Sequence, residues 1–358
     1  MTGSEAKRQL EDYQPKIAEL IRKFFDKEIK DVKDWHPFFR HMLAAAKRQI
    51  LRGGKRIRPI LSIQAYKAVG GRDIREAEKT SIGIEIFHTF LLMHDDIIDQ
   101  DDLRHGGPAA HAIYREYHKS KLDYGESGHF GESVSLVLGD ILASYCYRIV
   151  LDSKFPAPRR IAAVQHMNNV LKATGYGEIM DVLIGARGRA SEKDILEVLE
   201  YKTARYTVES PLILGGILGG APDYVQRAFS RYALPLGIAF QIQDDILGMF
   251  ADEKKLGKPV GSDLQEGKQT LLVDQVRKKA RPADRRRFDS ILGKPDIRKA
   301  DIKEARRIVT ESGALDYSRD LAKKYALQAK RAIASAKIRK PEKEFFQGIA
   351  TYIIEREF

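Results

Sequence analysis

Cysteine is all but absent: the 358 residues hold one, Cys146. That excludes a disulfide framework and a cysteine-built zinc cluster, and it fits a reducing compartment, which points to the cytoplasm. Long hydrophobic runs are missing too. None reaches the roughly 18–20 residues that a membrane span needs; the longest candidates, 211–221 and 234–242, stop short. The opening stretch MTGSEAKRQLEDYQPK is charged and carries no apolar segment, so no secretory leader is expected. Glycine (28) and proline (13) stay at ordinary usage, which removes collagen-like and low-complexity chains. Acidic charge falls short of basic, 50 residues against 62, a net +12 that favours anionic partners such as phosphorylated small molecules, nucleic acid or an anionic membrane surface.

What is present is helical spacing. In 13–29 the apolar residues Ile17, Leu20, Ile21, Phe24 and Phe25 form a stripe. Further helices are expected over 38–51, 58–69, 74–99, 134–151, 161–175, 179–184, 194–218, 224–250, 270–279, 302–312 and 314–336, with loops near 106–108, 122–131, 153–159, 187–191 and 254–269. No series of alternating strands is evident, so the fold class is all-α. No segment has linker composition, so a single domain over 1–358 is expected. The basic stretch 277–306 reads as a solvated surface.

Two segments echo each other: LLMHDDIID (91–99) and FQIQDDILG (240–248), each an apolar run, an aspartate pair and two aliphatics. Asp95 and Asp99 are four apart, so on a helix they stack on one face, flanked by Asp96. Their mutual repulsion, next to a long apolar run, calls for a cation. Hard oxygen donors without cysteine point to Mg²⁺, which takes one or two carboxylates and completes its shell with substrate phosphates. A solvated acidic helix end is the plainer reading of one such motif. The second pair, Asp244 and Asp245, weighs against it, as do the cations Arg104, Lys258 and Lys268 downstream.

GGKRIRP (53–59) sets two glycines before Lys55, Arg56 and Arg58 at a helix start, a phosphate cradle without the spacing of a P-loop. His88 lies two helical turns before Asp95 on the same face, where a diphosphate contact and a satisfied core histidine are both open readings. Lys202 and Thr203, in EYKTARYT, fall mid-helix.

Taken together, GGKRIRP, HDDIIDQDDLRHGGPAAH, YKTA and FQIQDDILG…LGKPVGSDLQEGKQT, in that order from residue 53 to 270, resemble the trans-isoprenyl diphosphate synthases of the farnesyl and geranylgeranyl type. The resemblance implies an all-α isoprenoid synthase fold, with a central cavity between two aspartate-bearing helices, and a homodimer, with residues 1–35 as a helix at the periphery or at the dimer contact. It implies three Mg²⁺, with Asp95 and Asp99 holding two and Asp244 the third, and Asp96 within the catalytic set. Arg104, Lys202, Thr203, Gln241 and Lys258 would contact the allylic substrate, and Lys268 would help close the site. Lys55, Arg58 and His88, with His105, would bind isopentenyl diphosphate. The allylic partners are dimethylallyl, geranyl and farnesyl diphosphate. Phe90, Leu91 and Phe87 would set chain length, and Phe90 followed by the smaller Leu91 resembles the pattern that forms C20 product, with C15 as the alternative.

The chain departs from that family's usual pattern at three places. His105 replaces a second arginine after the first motif, Gly248 stands where a third aspartate can stand, and Glu178 replaces a glutamine, while Asp181 keeps its place. A terpene cyclase would need another second motif, since Gly248 and Asp252 occupy the positions where it carries a hydroxyl and a glutamate. A non-catalytic subunit would lack the aspartates of one motif. A nucleic-acid reader would interleave aromatics with its basic patch, and 277–306 holds only Phe288.

Overall fold

The computed structural model describes residues 1–250 and 261–355. Helices account for almost all of it, so the all-α expectation holds. The contacts divide the chain into two compact units: Arg8–Ile63 with Arg72–Val164, and Met1–Lys7 with Gln64–Gly71 and Gln165–Phe358.

The first of these contains most of α1 (Gly3–Asp31), then α2 (Pro37–Leu51), α4 (Ile74–Ile98), α5 (Ala110–Lys121) and α6 (Ser127–Leu151), with α3 (Ile57–Ala68) starting inside it. Pro15 lies within α1, so that helix begins twelve or so residues before it and runs through the proline rather than starting beside it. Asp73 opens α4 by accepting from the Glu76 amide at 3.0 Å. The core runs along α4 against α6, and two glycines permit their close approach. A Cβ on Gly83 would lie 3.2 Å from the Cys146 carbonyl oxygen, and one on Gly139 would lie 2.6 Å from His94 Cδ2. Helix α5 was not expected from periodicity, and α6 starts inside the supposed 122–131 loop, where the Glu126 carboxylate caps the amides of Gly128 and His129. By length and composition α6 could also span a membrane; it is the one such helix among the described residues. Its serines, alanines and glycines keep any single apolar run short, which is why a search for runs passes over it.

The second unit is built on α10 (Asp223–Phe250), packed against the helix Ala314–Ala334 and against an eleven-residue π-helix, π1 (Leu199–Glu209). The π-helix interrupts what the apolar spacing reads as one helix over 194–218: α8 (Glu192–Val198) leads into it and α9 (Ser210–Gly219) leaves it. Helix α7 (Ala157–Arg187) is continuous where two helices, 161–175 and 179–184, were expected, because Gly175 and Gly177 lie inside it rather than ending it. Tyr232 donates to the Phe346 carbonyl at 2.6 Å and ties the C-terminal helix Lys340–Glu355 to α10. Part of the basic stretch is internally paired: Arg277 meets Asp289 at 2.9 Å, and the buried Asp301 gathers Arg287, Lys294 and Arg298 at 2.9–3.2 Å.

Candidate active site

Two clusters of the candidate side chains form, one in each unit. In the first, α4 delivers the acidic motif at its C-terminal end. Asp99 caps the helix, its amide 2.8 Å from the Asp95 carbonyl, so Asp95 and Asp99 stack one turn apart as their spacing predicts. Gln100 then reverses the chain at φ +58°, and the Asp101 amide returns to the Asp96 carbonyl at 2.9 Å. Asp96 points inward, its side chain 1% exposed, and burial pushes its carboxyl above the usual range. Arg104 opposes that shift. Its Nε donates to Asp96 Oδ1 at 2.6 Å and its Nη2 reaches the same oxygen; Nη2 also lies 3.2 Å from Asp101 and 3.8 Å from Asp95. One guanidinium thus holds three aspartates together.

Arg104 and His105 lie on a two-stranded hairpin, β1 (Leu103–Arg104) and β2 (Gly107–Pro108), whose turn puts His105 at φ +51°. Arg52 Nη1 donates to the carbonyls of Pro108 at 2.9 Å and Arg104 at 3.3 Å, and Asp102 accepts from His111 and Arg115 at 3.1 and 2.6 Å. The glycine-rich loop packs on the hairpin, with a Cβ on Gly53 falling 3.8 Å from that of His105. His88 lies among these groups. Burial, then the charges of Arg58, His105, Arg104 and Arg56, hold its imidazole well below its ordinary value, so it is neutral at pH 7. Desolvation beside Arg104 and Arg56 also lowers His105. Lys55 is exposed and Arg58 half-buried. His88 thus lies within the fields of Arg56, Arg58, Arg104 and His105, with Lys55 nearby only in sequence. Phe87 and Phe90 are buried at 2% and 4% and meet edge to face at 5.2 Å, while Leu91 is half-buried.

In the second unit the π-helix carries Lys202 and Thr203. Lys202 Nζ donates to Asp181 Oδ2 at 2.7 Å and to Glu178 Oε1 at 3.0 Å, both from α7. Gly177 lets the two backbones touch: a Cβ there would stand 2.7 Å from Lys202 Cα. Gly237 does the same on α10, where a Cβ would fall 2.5 Å from Ala204 Cα. Thr203 Oγ1 meets Gln241 Oε1 at 3.3 Å, and Gln241 Nε2 donates to Asp245 Oδ1 at 2.8 Å. Desolvation, followed by the nearby Asp263 carboxylate, pushes Asp245 up to about 8, with the charge of Asp244 adding to the rise. Asp263, Lys268 and Asp245 line a recess beside Gly248. A Cβ on Gly248 would lie 2.7 Å from Asp263 Oδ2, so the space left by the missing third aspartate is filled by another carboxylate. Lys268 pairs with Glu266 at 3.0 Å. Lys258 lies outside the described residues.

Glu85 and Asp263 were not expected in these clusters. Nothing in their local spacing marks them; Glu85 meets Arg56 across 29 residues and Asp263 approaches Gly248 across 15. Among the described residues no three histidine, cysteine or acidic side chains converge to hold an ion by themselves. The donor set fits magnesium in its usual mode. It offers all-oxygen donors from one helix turn, with Asp96 Oδ2 buried and lacking a hydrogen bond, and the rest of the shell would come from phosphate oxygens.

The family model for polyprenyl synthetase matches residues 40–309. A geranylgeranyl diphosphate synthase of Methanosarcina mazei is 35% identical over 86% of this chain and 87% of its own length. Among solved structures, a geranylgeranyl pyrophosphate synthase of Corynebacterium glutamicum, complexed with isoprenyl diphosphate and magnesium, superposes with a TM-score of 0.92 at 25% identity, covering 97% of this chain and 99% of that one. One from Pyrococcus horikoshii has a TM-score of 0.81 at 31% identity, covering 99% of each chain.

Proposed function

The chain belongs to the polyprenyl synthetase family, and from that membership we propose that it is a short-chain trans-prenyltransferase that makes geranylgeranyl diphosphate (C20). It condenses isopentenyl diphosphate head-to-tail with dimethylallyl, geranyl or farnesyl diphosphate. The observation that carries the reading is the pairing on one helix. His88 sits among arginines two turns before the Asp95–Asp99 turn, so α4 offers one place for an anion held by cations and another for an anion held through a metal.

The chemistry follows from charge. The allylic C1–O bond breaks and its electron pair leaves with the diphosphate. The isopentenyl double bond then attacks C1, and a proton is lost to the departing diphosphate. Asp95, Asp99 and Asp244 would hold magnesium, three ions with substrate present, which would supply charge neutralisation on the leaving oxygens. Lys202 and Thr203, with Gln241, orient the allylic diphosphate, and Lys258 and Lys268 add cations as charge develops there. Glu178 and Asp181 hold Lys202 in one direction, so its ammonium need not reorganise during ionisation. Lys55, Arg58 and His88 hold the isopentenyl diphosphate. Phe87 and Phe90 form an apolar wall that keeps water from the cation and stops elongation.

The protein is a homodimer in this reading, supported by an apolar stripe on α7 that remains exposed: Tyr176, Ile179, Val182 and Leu183, spaced three and four apart. A cytoplasmic site agrees with the single buried thiol.

The test is labelled isopentenyl diphosphate with each of the three allylic primers and Mg²⁺, the products sized by chromatography. Geranylgeranyl diphosphate is expected from all three. Asp95→Ala should lose at least about a hundredfold in turnover, given what such charge stabilisation contributes; near-normal turnover would refute the assignment.

A further inference from the structure

Of the three cations in the 53–59 loop, Arg56 is the buried one, at 6% exposure, and it is the one to which no substrate contact has been given. Its Nη1 donates to Glu85 Oε1 at 2.6 Å and its Nη2 to the Ile50 carbonyl. Glu85 is itself buried, at 4%. Arg56 also adopts φ +51°, a left-handed conformation that disfavours any residue with a Cβ and persists where the surroundings over-determine it. Gly54, at φ +104°, turns the chain just before. The Arg56 carbonyl then accepts from the Ile60 amide at 3.4 Å and opens α3, while the Lys55 carbonyl accepts from Gln14 Nε2 at 3.3 Å.

A buried ion pair adds little net stability compared with apolar residues of the same volume. Its virtue is direction. The planar guanidinium holds the loop between two helices, one hydrogen bond tying it to Glu85 and the other to the end of α2, and so fixes its direction as an apolar contact does not. Glu85 belongs to α4 and lies three residues before His88, on the same face. Lys55 and Arg58 flank Arg56 in the chain. We infer that the Arg56–Glu85 pair is a strut that sets Lys55 and Arg58 beside His88, so that all three diphosphate contacts are referenced to one helix. Arg56 is thus a positioning residue for isopentenyl diphosphate, not a ligand of it. The inference rests on the prenyltransferase reading and deepens it.

The test compares Arg56→Lys and Glu85→Gln with wild type in steady state, varying each substrate in turn. KM for isopentenyl diphosphate should rise about tenfold or more, as misplaced contacts do, while kcat and the allylic KM stay within about twofold. The double variant should be no worse than the poorer single, since both break one pair. Should the singles not fold, Arg56→Gln with Glu85→Gln removes both charges and is read instead. Calorimetric titration of the metal-free protein with inorganic pyrophosphate gives a second reading, with the same loss of affinity expected. An unchanged KM for isopentenyl diphosphate in folded variants, or an equal loss for both substrates, would overturn the strut. A wild-type protein that condenses nothing would sink the prenyltransferase reading instead; the pyrophosphate titration then decides the strut alone.

Discussion

Arg104→Ala isolates what a single guanidinium does for three aspartates. In the native protein Arg104 meets Asp96 at 2.6 Å and lies within 3.2–3.8 Å of Asp101 and Asp95. Removing it leaves Asp96, 1% exposed, as a buried carboxyl among like charges. Breaking one side of such a pair costs about 3–5 kcal/mol, because the remaining charge stays desolvated. The protein can relieve that cost by protonating Asp96, which sets a pH dependence. Burial already raises its pKa, and without Arg104 it rises further. A raised carboxyl retains a proton that the unfolded chain releases above about pH 3.9, so stability falls as pH rises until the folded pKa is passed. Burial already holds Asp96 at about 7 in the native protein, so near pH 5 it keeps its proton with or without Arg104 and the loss relative to wild type is small. Past that value the loss grows by roughly 1.4 kcal/mol per pH unit, about 1.4 kcal/mol near pH 8. Urea unfolding of the metal-free variant at these two pH values reads both losses. Adding Asp96→Asn should restore at least half of the loss near pH 8, since a neutral amide needs no counter-ion. A loss below about 1 kcal/mol near pH 8, or one equal at both pH values, would show that Asp96 is not held in this way.

Gly177→Ala should cost about 1–3 kcal/mol in urea unfolding, because the new Cβ meets the Lys202 backbone, which cannot yield as a side-chain end would; a variant as stable as wild type would contradict the close approach of α7 and π1. Phe90→Ala should lengthen the products seen by chromatography, and an unchanged product spectrum would remove Phe90 as the floor of the elongation cavity. Ile179→Asp with Val182→Asp, on residues 66% and 51% exposed, should convert the proposed dimer to a monomer in sedimentation velocity while leaving the fold intact by circular dichroism. A wild type already monomeric at micromolar concentration would discard the α7 stripe as an interface.

Where a signal is local, it was legible. The acidic turn of α4 and the glycine stop after α2 follow from spacing, because Asp95, Asp99 and His88 share a helix face whatever surrounds them. The same local logic misreads Gly175 and Gly177 as a break. In α7 the surrounding helix tolerates them, and at Gly177 the requirement is a close neighbour from another element rather than a turn. Helix α5 escaped because its first residues, Ala110 to Ala112, follow a glycine–proline turn and carry little periodic signal. The assignments of Lys202 and Arg104 to a diphosphate came from resemblance. Their resting partners, Glu178, Asp181 and Asp96, are long-range pairings that no window of sequence displays. Likewise Gly248 is legible in the motif only as a position where a third aspartate can stand; the carboxylate of Asp263 beside it comes from the fold.

The π-helix has a consequence for anyone who edits this chain. Its wide turns absorb residues that an α-helix of the same length could not, and the phase of Lys202 relative to Gln241 depends on them. Deleting a single residue between Ala204 and Glu209 would allow the segment to rewind as ordinary helix, swinging everything on its N-terminal side by about 100°. Lys202 would then leave Glu178 and Asp181 although no catalytic side chain had been altered. Grafting or aligning this region by helical wheel will therefore misplace its chemistry, and the count of residues from 199 to 209 is as much a part of the site as their identities.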